Sequence, residues 1–421
     1  MNKKTYSLQY VSPTVTAFHY DTDESGIVDN KLIEDSELRN ILREIFSFSR
    51  YHPENPYLFR KSIPSPRSIH PFLPLLVVYG ACFLYDAARD SFVYIGVHSI
   101  KDHDIQIMIL IDIWRICSVY GEFGFPLSIL ESGHILVDLH MLLKESSFDI
   151  KHVDYSFKQY NREFPNAAIK NAGDLYILYS VVIKSVHSNQ DVWRLKHKAE
   201  IKKKYNYTFE LSNIGIDQLF FYASKEKISL RKRKYPSIPE LHLKREKRNS
   251  LNAKYGLFNL GSSYSNKDLH SFLSFLDHTI CSIDIKQINI YFMINHIQGM
   301  ERGAYRYRNG KLFKLEDSLH LYSIFKEGHN AMNVDSLPFA VVLSASSVSN
   351  QLKEFIVAHV NAAEIIQTLS LFFAEKNTFS RPIRNLNDEY CKKICKPSSN
   401  EHFIYGCLFG HGNSLSEMVL R

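Results

Sequence analysis

INIYFMINHIQGMERGAYRYRNGKLFKLE, residues 288–316, is an apolar run, a short connection, an aromatic run and a further run beyond Asn309-Gly310. An Asn-Gly pair between such segments signals a tight hairpin, because both residues reach positive φ easily. The same order is met earlier, in PFLPLLVVYGACFLYDAARDSFVYIG, residues 71–96. There Phe83-Leu84-Tyr85-Asp86 falls where Tyr305-Arg306-Tyr307-Arg308 falls later. A supersecondary unit that occurs twice makes the chain an internal duplication, and the remaining segments are read against that possibility.

The flanks repeat as well. LSILESGHILVDLHMLLKESSFD (127–149) and FIVAHVNAAEIIQTLSLFFAEKNTF (355–379) place Leu and Ile at helical spacing. Both are apolar almost all the way round, so both are predicted as long buried helices. Ser36-Glu37-Leu38 opens a shorter helix that ends near Phe48, and Asn266-Lys267-Asp268-Leu269 opens another that ends near Leu276. LYILYSVVIKSVH (175–187) and FIYGCLFGHG (403–412) close the two copies as strands. The order helix, strand, hairpin, long buried helix, strand therefore occurs twice. The fold class expected is α+β, with two related domains in one chain.

The bulk properties agree. A length of 421 residues suits two domains of ordinary size. With 45% apolar and 23% charged residues the chain is globular, which excludes wholesale disorder. The net charge of +7 is modest but concentrated in RLKHKAEIKKKYNY (194–207) and KEKISLRKRKYPSIPELHLKREKR (225–248). Pro236 and Pro239 mark a break there, so the expected domains are 1–190 and 246–421, joined by a basic linker or insert, 191–245. Tyr205, Tyr207 and Tyr235 interleave with the cations, a pattern that suits a polyanion or an acidic leader peptide. No RNA-binding signature accompanies them, so a solvated linker is preferred and nucleic acid is not an expected partner.

Six cysteines are scattered, and Cys391 with Cys395 has no second pair to complete a zinc site. Glu131 and His134 lie three apart on one helix but lack a second such pair, so packing is preferred to metal binding. No metal is expected. MNKKTYSLQYVSPTV at the start has no apolar h-region, and the apolar runs read as too short or interrupted to cross a bilayer. The expected location is the cytoplasm.

PSPRSIHP, residues 64–71, precedes the first hairpin. Its prolines fix φ and withhold donors, which predicts a loop of enforced shape and not a helix. This loop, the apolar strand after it and the aromatic hairpin resemble the nitroreductase superfamily. The likeness is greatest to the azoline dehydrogenases of ribosomal peptide maturation, the streptolysin and microcin type. In that group the loop commonly reads like P-S-A-G-A-L-Y-P.

The resemblance implies α+β flavoproteins that bind FMN at the interface of a homodimer. One subunit's Arg-x-Ser motif holds the phosphate, and the other's Pro-Ser loop lies along the flavin. In this sequence Lys247-Arg248-Asn249-Ser250 matches Arg-x-Ser at the head of the second copy, whereas Ser12-Pro13-Thr14 in the first has no arginine. The Pro-Ser loop is kept in the first copy at Pro64 and Ser65, while Cys281 to Lys286 in the second contains no proline. Each copy keeps the half that the other lacks, which implies an intramolecular pseudo-dimer with one composite FMN site. The cofactor-binding candidates are Arg248, Ser250, Pro64, Ser65, Arg67 and His411, the last where the family often sets a basic residue against the phosphate.

The peptide dehydrogenases often carry Lys-Tyr-Gly before the long helix. Here Tyr120-Gly121 is present but Val119 replaces the lysine, and Ser346 to Asn350 in the second copy keeps neither. Tyr120 is the catalytic candidate, as a proton donor or acceptor. The resemblance implies oxidation of azoline to azole in a modified peptide, with other subunits of a maturation complex as partners. Two alternatives stand beside it: an NAD(P)H-dependent reductase of a small electron-poor molecule, and a flavin-less scaffold that binds a peptide.

Overall fold

The computed structural model describes residues 18–21, 37–51, 59–78, 80–87, 90–98, 105–164, 169–170, 175–185, 200–203, 216–226, 228–230, 233, 235–250, 264–282, 288–325, 333–346, 351–375, 378–412 and 418–419. The chain forms two compact units. The first comprises 1–128, 138–232 and 418–421, and the second comprises 129–137 and 233–417.

After a short strand, Phe18–Asp21, the first unit has α1 (Glu37–Phe46), whose Leu38, Ile41, Leu42, Ile45 and Phe46 form one buried stripe. Strands β1 (Phe72–Val78), β2 (Ala81–Asp86) and β3 (Ser91–Val97) follow as a meander, then β4 (Ile105–Asp112). Helix α2 (Ile113–Tyr120) leads into α3 (Gly124–Lys144). After these come β5 (Phe148–Gln159), β6 (Leu175–Ser185), α4 (Ile216–Ala223) and β7 (Ile228–Leu230). The sheet has the order β7-β5-β6-β4-β1-β2-β3, antiparallel throughout. Leu75, Val77, Cys82, Leu84, Val93, Ile95, Met108 and Leu110 alternate along their strands onto one core face. Leu76, Phe83, Ile107 and Ile109 on the other face are buried too, which explains runs as uniformly apolar as FLPLLVV and IQIMILID.

The second unit contains α5 (Leu241–Lys247), α6 (Asn266–Ser282), β8 (Ile288–Ile294), β9 (Gly303–Arg308), β10 (Lys311–Glu316), β11 (Phe339–Ser346), α7 (Leu352–Phe373), β12 (Thr378–Ile383), α8 (Asp388–Cys395) and β13 (Glu401–His411). Its sheet order is β10-β9-β8-β11-β13-β12, again antiparallel. Strand for strand this is the first sheet, with β1, β2, β3, β4, β5 and β6 answering to β8, β9, β10, β11, β12 and β13. The long helices α3 and α7 fall at the same place in the two orders. The duplication read from the hairpins extends to the whole topology. Asn309 and Gly310 take φ of 48° and 73°, the conformation a two-residue hairpin turn requires.

Phe292, Phe339 and Phe409 from the second sheet meet Phe272 of α6 and Phe373 of α7, with ring centroids 5.0–6.2 Å apart. Each such ring contributes about 1.5–3 kcal/mol by leaving water. Helix α7 is long and apolar enough to span a membrane by length and composition, contrary to the sequence expectation, but it is buried in this core. Ile129–Val137 of α3 is part of the same unit. A Cβ on Gly133 would come within 2.7 Å of Ala363 Cβ and 2.9 Å of the Val360 carbonyl, so only glycine permits that helix crossing.

Three boundaries differ from the sequence expectation. Helix α3 ends at Lys144 and α7 at Phe373, while α6 runs on to Ser282. The basic stretch 225–248 is not a bare linker. It carries β7 on the edge of the first sheet, and its Arg233 and Tyr235 are buried in the second unit. Ser12 to Thr14, 283–287, 347–350 and most of 194–207, including Tyr205 and Tyr207, lie outside the described residues.

Candidate functional site

The PSPRSIHP loop is more ordered than expected. Pro66–Ser68 make one 3-10 turn, closed by Ser68 N–H to the Ser65 carbonyl at 3.1 Å and Ile69 N–H to the Pro66 carbonyl at 3.1 Å. Ser65 Oγ accepts from His70 N–H at 2.9 Å, so that oxygen helps close the loop. Arg67, Ser68 and His70 have φ of 49°, 52° and 45°. Non-glycine residues rarely take this region, and a cluster of them is held only by surrounding structure. Pro71 supplies part of that hold, its carbonyl accepting from Asp112 N–H at 2.9 Å. His70 is buried, and its pKa is pushed well down by burial first and then by Lys61, Arg115 and Arg60.

Tyr120 ends α2 in the same unit. Gly121 follows at φ 56°, a backbone conformation that breaks the helix before α3 begins. The Arg67 guanidinium lies 5.4 Å from the Tyr120 ring centroid, a cation–π contact. The structure thus brings together two sequence candidates 53 residues apart, Arg67 and Tyr120.

In the second unit Arg248 caps α5, its N–H donating to the Lys244 carbonyl at 2.9 Å. Its side chain is buried, and Nη2 donates to Ser250 Oγ at 2.8 Å and to the Ser380 carbonyl at 3.2 Å. Arg381 Nη1 reaches the Ser250 carbonyl at 3.4 Å. The Arg-x-Ser pair is therefore assembled, and β12 braces it. His411, at the end of β13, lies opposite Thr378 of β12, two residues from Ser380. Its ring lies 4.7 Å from Tyr264, and the charges that act on it are the carboxylates of Glu375 and Asp268.

Sequence reasoning missed what surrounds Arg248. His134 Nδ1 bonds to Gln367 Oε1 at 2.9 Å, and Nε2 to Tyr405 Oη at 2.8 Å. An amide oxygen only accepts, so Nδ1 carries the proton and Tyr405 donates to Nε2. Burial foremost, and then the Arg248 charge, hold the His134 pKa at about 3 against the opposing Gln367 bond. The folded protein thus keeps His134 neutral, whereas an unfolded histidine takes a proton below about 6.5. Stability from this group is complete above that value and is lost as pH falls towards the folded pKa, by up to about 1.4 kcal/mol per pH unit. Thermal melts of the wild type should therefore fall more steeply between about pH 7 and about pH 5 than those of His134→Asn. Equal slopes would show that the imidazole is not held neutral.

A second buried cluster was also missed. Arg233 Nη2 lies 3.2 Å from Glu364 Oε2 and donates to Asn361 Oδ1 at 2.8 Å, and Tyr235 Oη donates to Glu364 Oε1 at 2.5 Å. The signal available was the polar residues Asn361, Glu364 and Gln367 at helical spacing inside an otherwise apolar helix. Among the described residues no group of three or more His, Cys, Asp or Glu is placed to hold a metal.

Comparison with family models and with curated proteins finds no match. Comparison with solved structures does. A protein of Anabaena variabilis described as a nitroreductase matches with a TM-score of 0.69 at 13% identity, over 98% of this chain and 97% of that one. A Ralstonia eutropha protein of the same description matches with a TM-score of 0.33 at 15% identity, over 44% of this chain and 89% of its own. The E. coli microcin synthetase McbBCD complex, bound to a truncated pro-microcin, matches with a TM-score of 0.32 at 13% identity, over 40% of this chain and 71% of that one. The near-complete overlap with the Anabaena protein, added to the doubled strand order, establishes that this chain has the α+β nitroreductase fold.

Proposed function

We propose that the protein is an FMN-dependent oxidoreductase that acts on a peptide substrate, dehydrogenating azoline to azole in the maturation of a ribosomal peptide. The observation that carries the flavin reading is the buried Arg248 guanidinium set 2.8 Å from Ser250 Oγ. A fixed fork with a hydroxyl beside it is the donor set a phosphate monoester takes. The residues thus fit the group. In this reading Arg248 and Ser250 of the second unit hold the phosphate, and Pro64, Ser65 and Arg67 of the first unit are the flavin-ring residues that the resemblance alone implies. His411, which the resemblance sets against the phosphate, is the further candidate, opposite Thr378 on β12.

Bound FMN supplies a two-electron hydride carrier. The protein supplies position and proton handling. Arg67 fixes the Tyr120 ring, and the Tyr120 hydroxyl takes or returns the proton at the substrate carbon. With Val119 in the lysine position, Tyr120 is the one proton-carrying side chain of that motif. The peptide substrate and a partner complex rest on the resemblance of the PSPRSIHP loop and the hairpin to peptide dehydrogenases.

The full-length protein, stripped of small molecules and equilibrated with FMN, should retain it stoichiometrically after gel filtration and turn yellow. A colourless protein with no FMN quenching in titration would identify Arg248 and Ser250 as a structural pair and leave the scaffold reading.

A further inference from the structure

We infer that Ser380 is a third ligand of the phosphate held by Arg248 and Ser250, an inference that rests on the flavin reading above. Ser380 lies in β12 opposite Phe409. Its N–H donates to the Asn249 carbonyl at 2.8 Å, and its carbonyl accepts from Arg248 Nη2. Both backbone groups of Ser380 are therefore bound to the three-residue segment that carries the Arg-x-Ser motif. The two are more than 130 residues apart in sequence, so no motif scan would join them.

The side chain is what asks for a ligand. Ser380 is 2% exposed, and among the described residues its Oγ has no hydrogen-bond partner. A buried hydroxyl without a partner is destabilising, and folded proteins keep few. Its neighbour Thr378, on the same strand and the same side of the sheet, shows the usual solution, with Oγ1 donating to the Phe373 carbonyl at 3.0 Å. Ser380 has the same opportunity to be an alanine or to find a carbonyl, and does neither.

A phosphate monoester presents three acceptor oxygens around one phosphorus. The Arg248 guanidinium supplies charge and geometry, and the hydroxyls of Ser250 and Ser380 each supply one donor. Arg381, through the Ser250 carbonyl, holds the backbone of the motif from its other end. The unsatisfied hydroxyl is thus the trace, in the protein alone, of a group that belongs beside Arg248.

The test compares FMN with riboflavin, which lacks the phosphate, by fluorescence quenching on the full-length chain. Ser380→Ala should raise the Kd for FMN about tenfold, equivalent to about 1.4 kcal/mol, and leave that for riboflavin unchanged. Because the lost hydroxyl had no partner, the melting temperature of the flavin-free variant should not fall. Ser380→Cys, close in size but a weak donor, should reproduce the split, and Ser380→Thr should restore FMN affinity. An equal loss for both flavins, or no loss for either, overturns the assignment while leaving FMN binding itself intact. If the wild type binds neither flavin, the flavin reading fails and this inference with it.

Discussion

Replacing Arg248 by alanine is expected to abolish retention of FMN through gel filtration and to raise its Kd roughly a hundredfold, about 3 kcal/mol. The guanidinium is the group in the motif that carries charge, and it is buried beside Ser250. Riboflavin should suffer much less. The stability of the flavin-free protein should also fall, by about 1–3 kcal/mol, because the Ser380 carbonyl and Ser250 hydroxyl lose a buried donor. Arg248→Lys should recover part of the charge but not the two-pronged geometry, and so should bind FMN more weakly than the wild type. Removal of the Arg248 charge carries a second signature. That charge helps hold the His134 pKa down, so in the alanine variant the acid-side loss of stability still begins near the unfolded histidine pKa but levels off at a higher pH and is smaller in total. A variant that kept FMN as tightly as the wild type would reduce Arg248 to a helix cap.

The duplication was legible because it is written in local pattern. Asn309-Gly310, the aromatic strands on either side and the two apolar helices each follow from a few adjacent residues. What was not legible is where one apolar element stops and the next begins. IQIMILID and FAVVLSAS are strands β4 and β11, and short apolar runs of this kind suit strand and helix alike even with Asp104 and Pro338 just before them. The end of α3 has the same difficulty. Glu145, Ser146 and Ser147 carry neither glycine nor proline, and the chain passes directly into β5. Helix α6 outran its expected end for the converse reason, since nothing between Asp277 and Ser282 breaks it.

The candidate site divides along the same line. Arg248 and Ser250 were readable as a motif two residues apart, and PSPRSIHP as a constrained loop. Gln367, Tyr405 and Ser380 were not, since each meets its partner across 130 residues or more. Composition also misled. The stretch 225–248 reads as solvated charge, yet Arg233 is buried because Glu364 is buried to receive it. A charged run identifies an exposed segment only when no complementary acid waits in the core.

That pairing sets the second large effect. Arg233→Met is expected to destabilise the second unit by about 3–5 kcal/mol, because it strands the Glu364 carboxylate in the core. Tyr235 still donates to it, but one neutral hydrogen bond does not replace an ion pair. Burial already raises the Glu364 pKa against the Arg233 charge, and without Arg233 it rises further. A carboxyl whose folded pKa lies above its unfolded value binds more protons folded than unfolded, so stability falls as pH rises through that range. The Arg233→Met protein should therefore be more stable at about pH 5 than at about pH 8, the reverse of the trend set by His134. Adding Glu364→Leu and Tyr235→Phe removes the charge and its donor together. Well-packed apolar replacements of a buried ion pair are commonly neutral or stabilising, so the triple variant should regain most of the loss. Urea titrations of the three proteins at both pH values decide the matter. If the single and triple variants are equally unstable, the segment through Arg233 and Tyr235 is held by packing, and the buried ion pair is incidental to it.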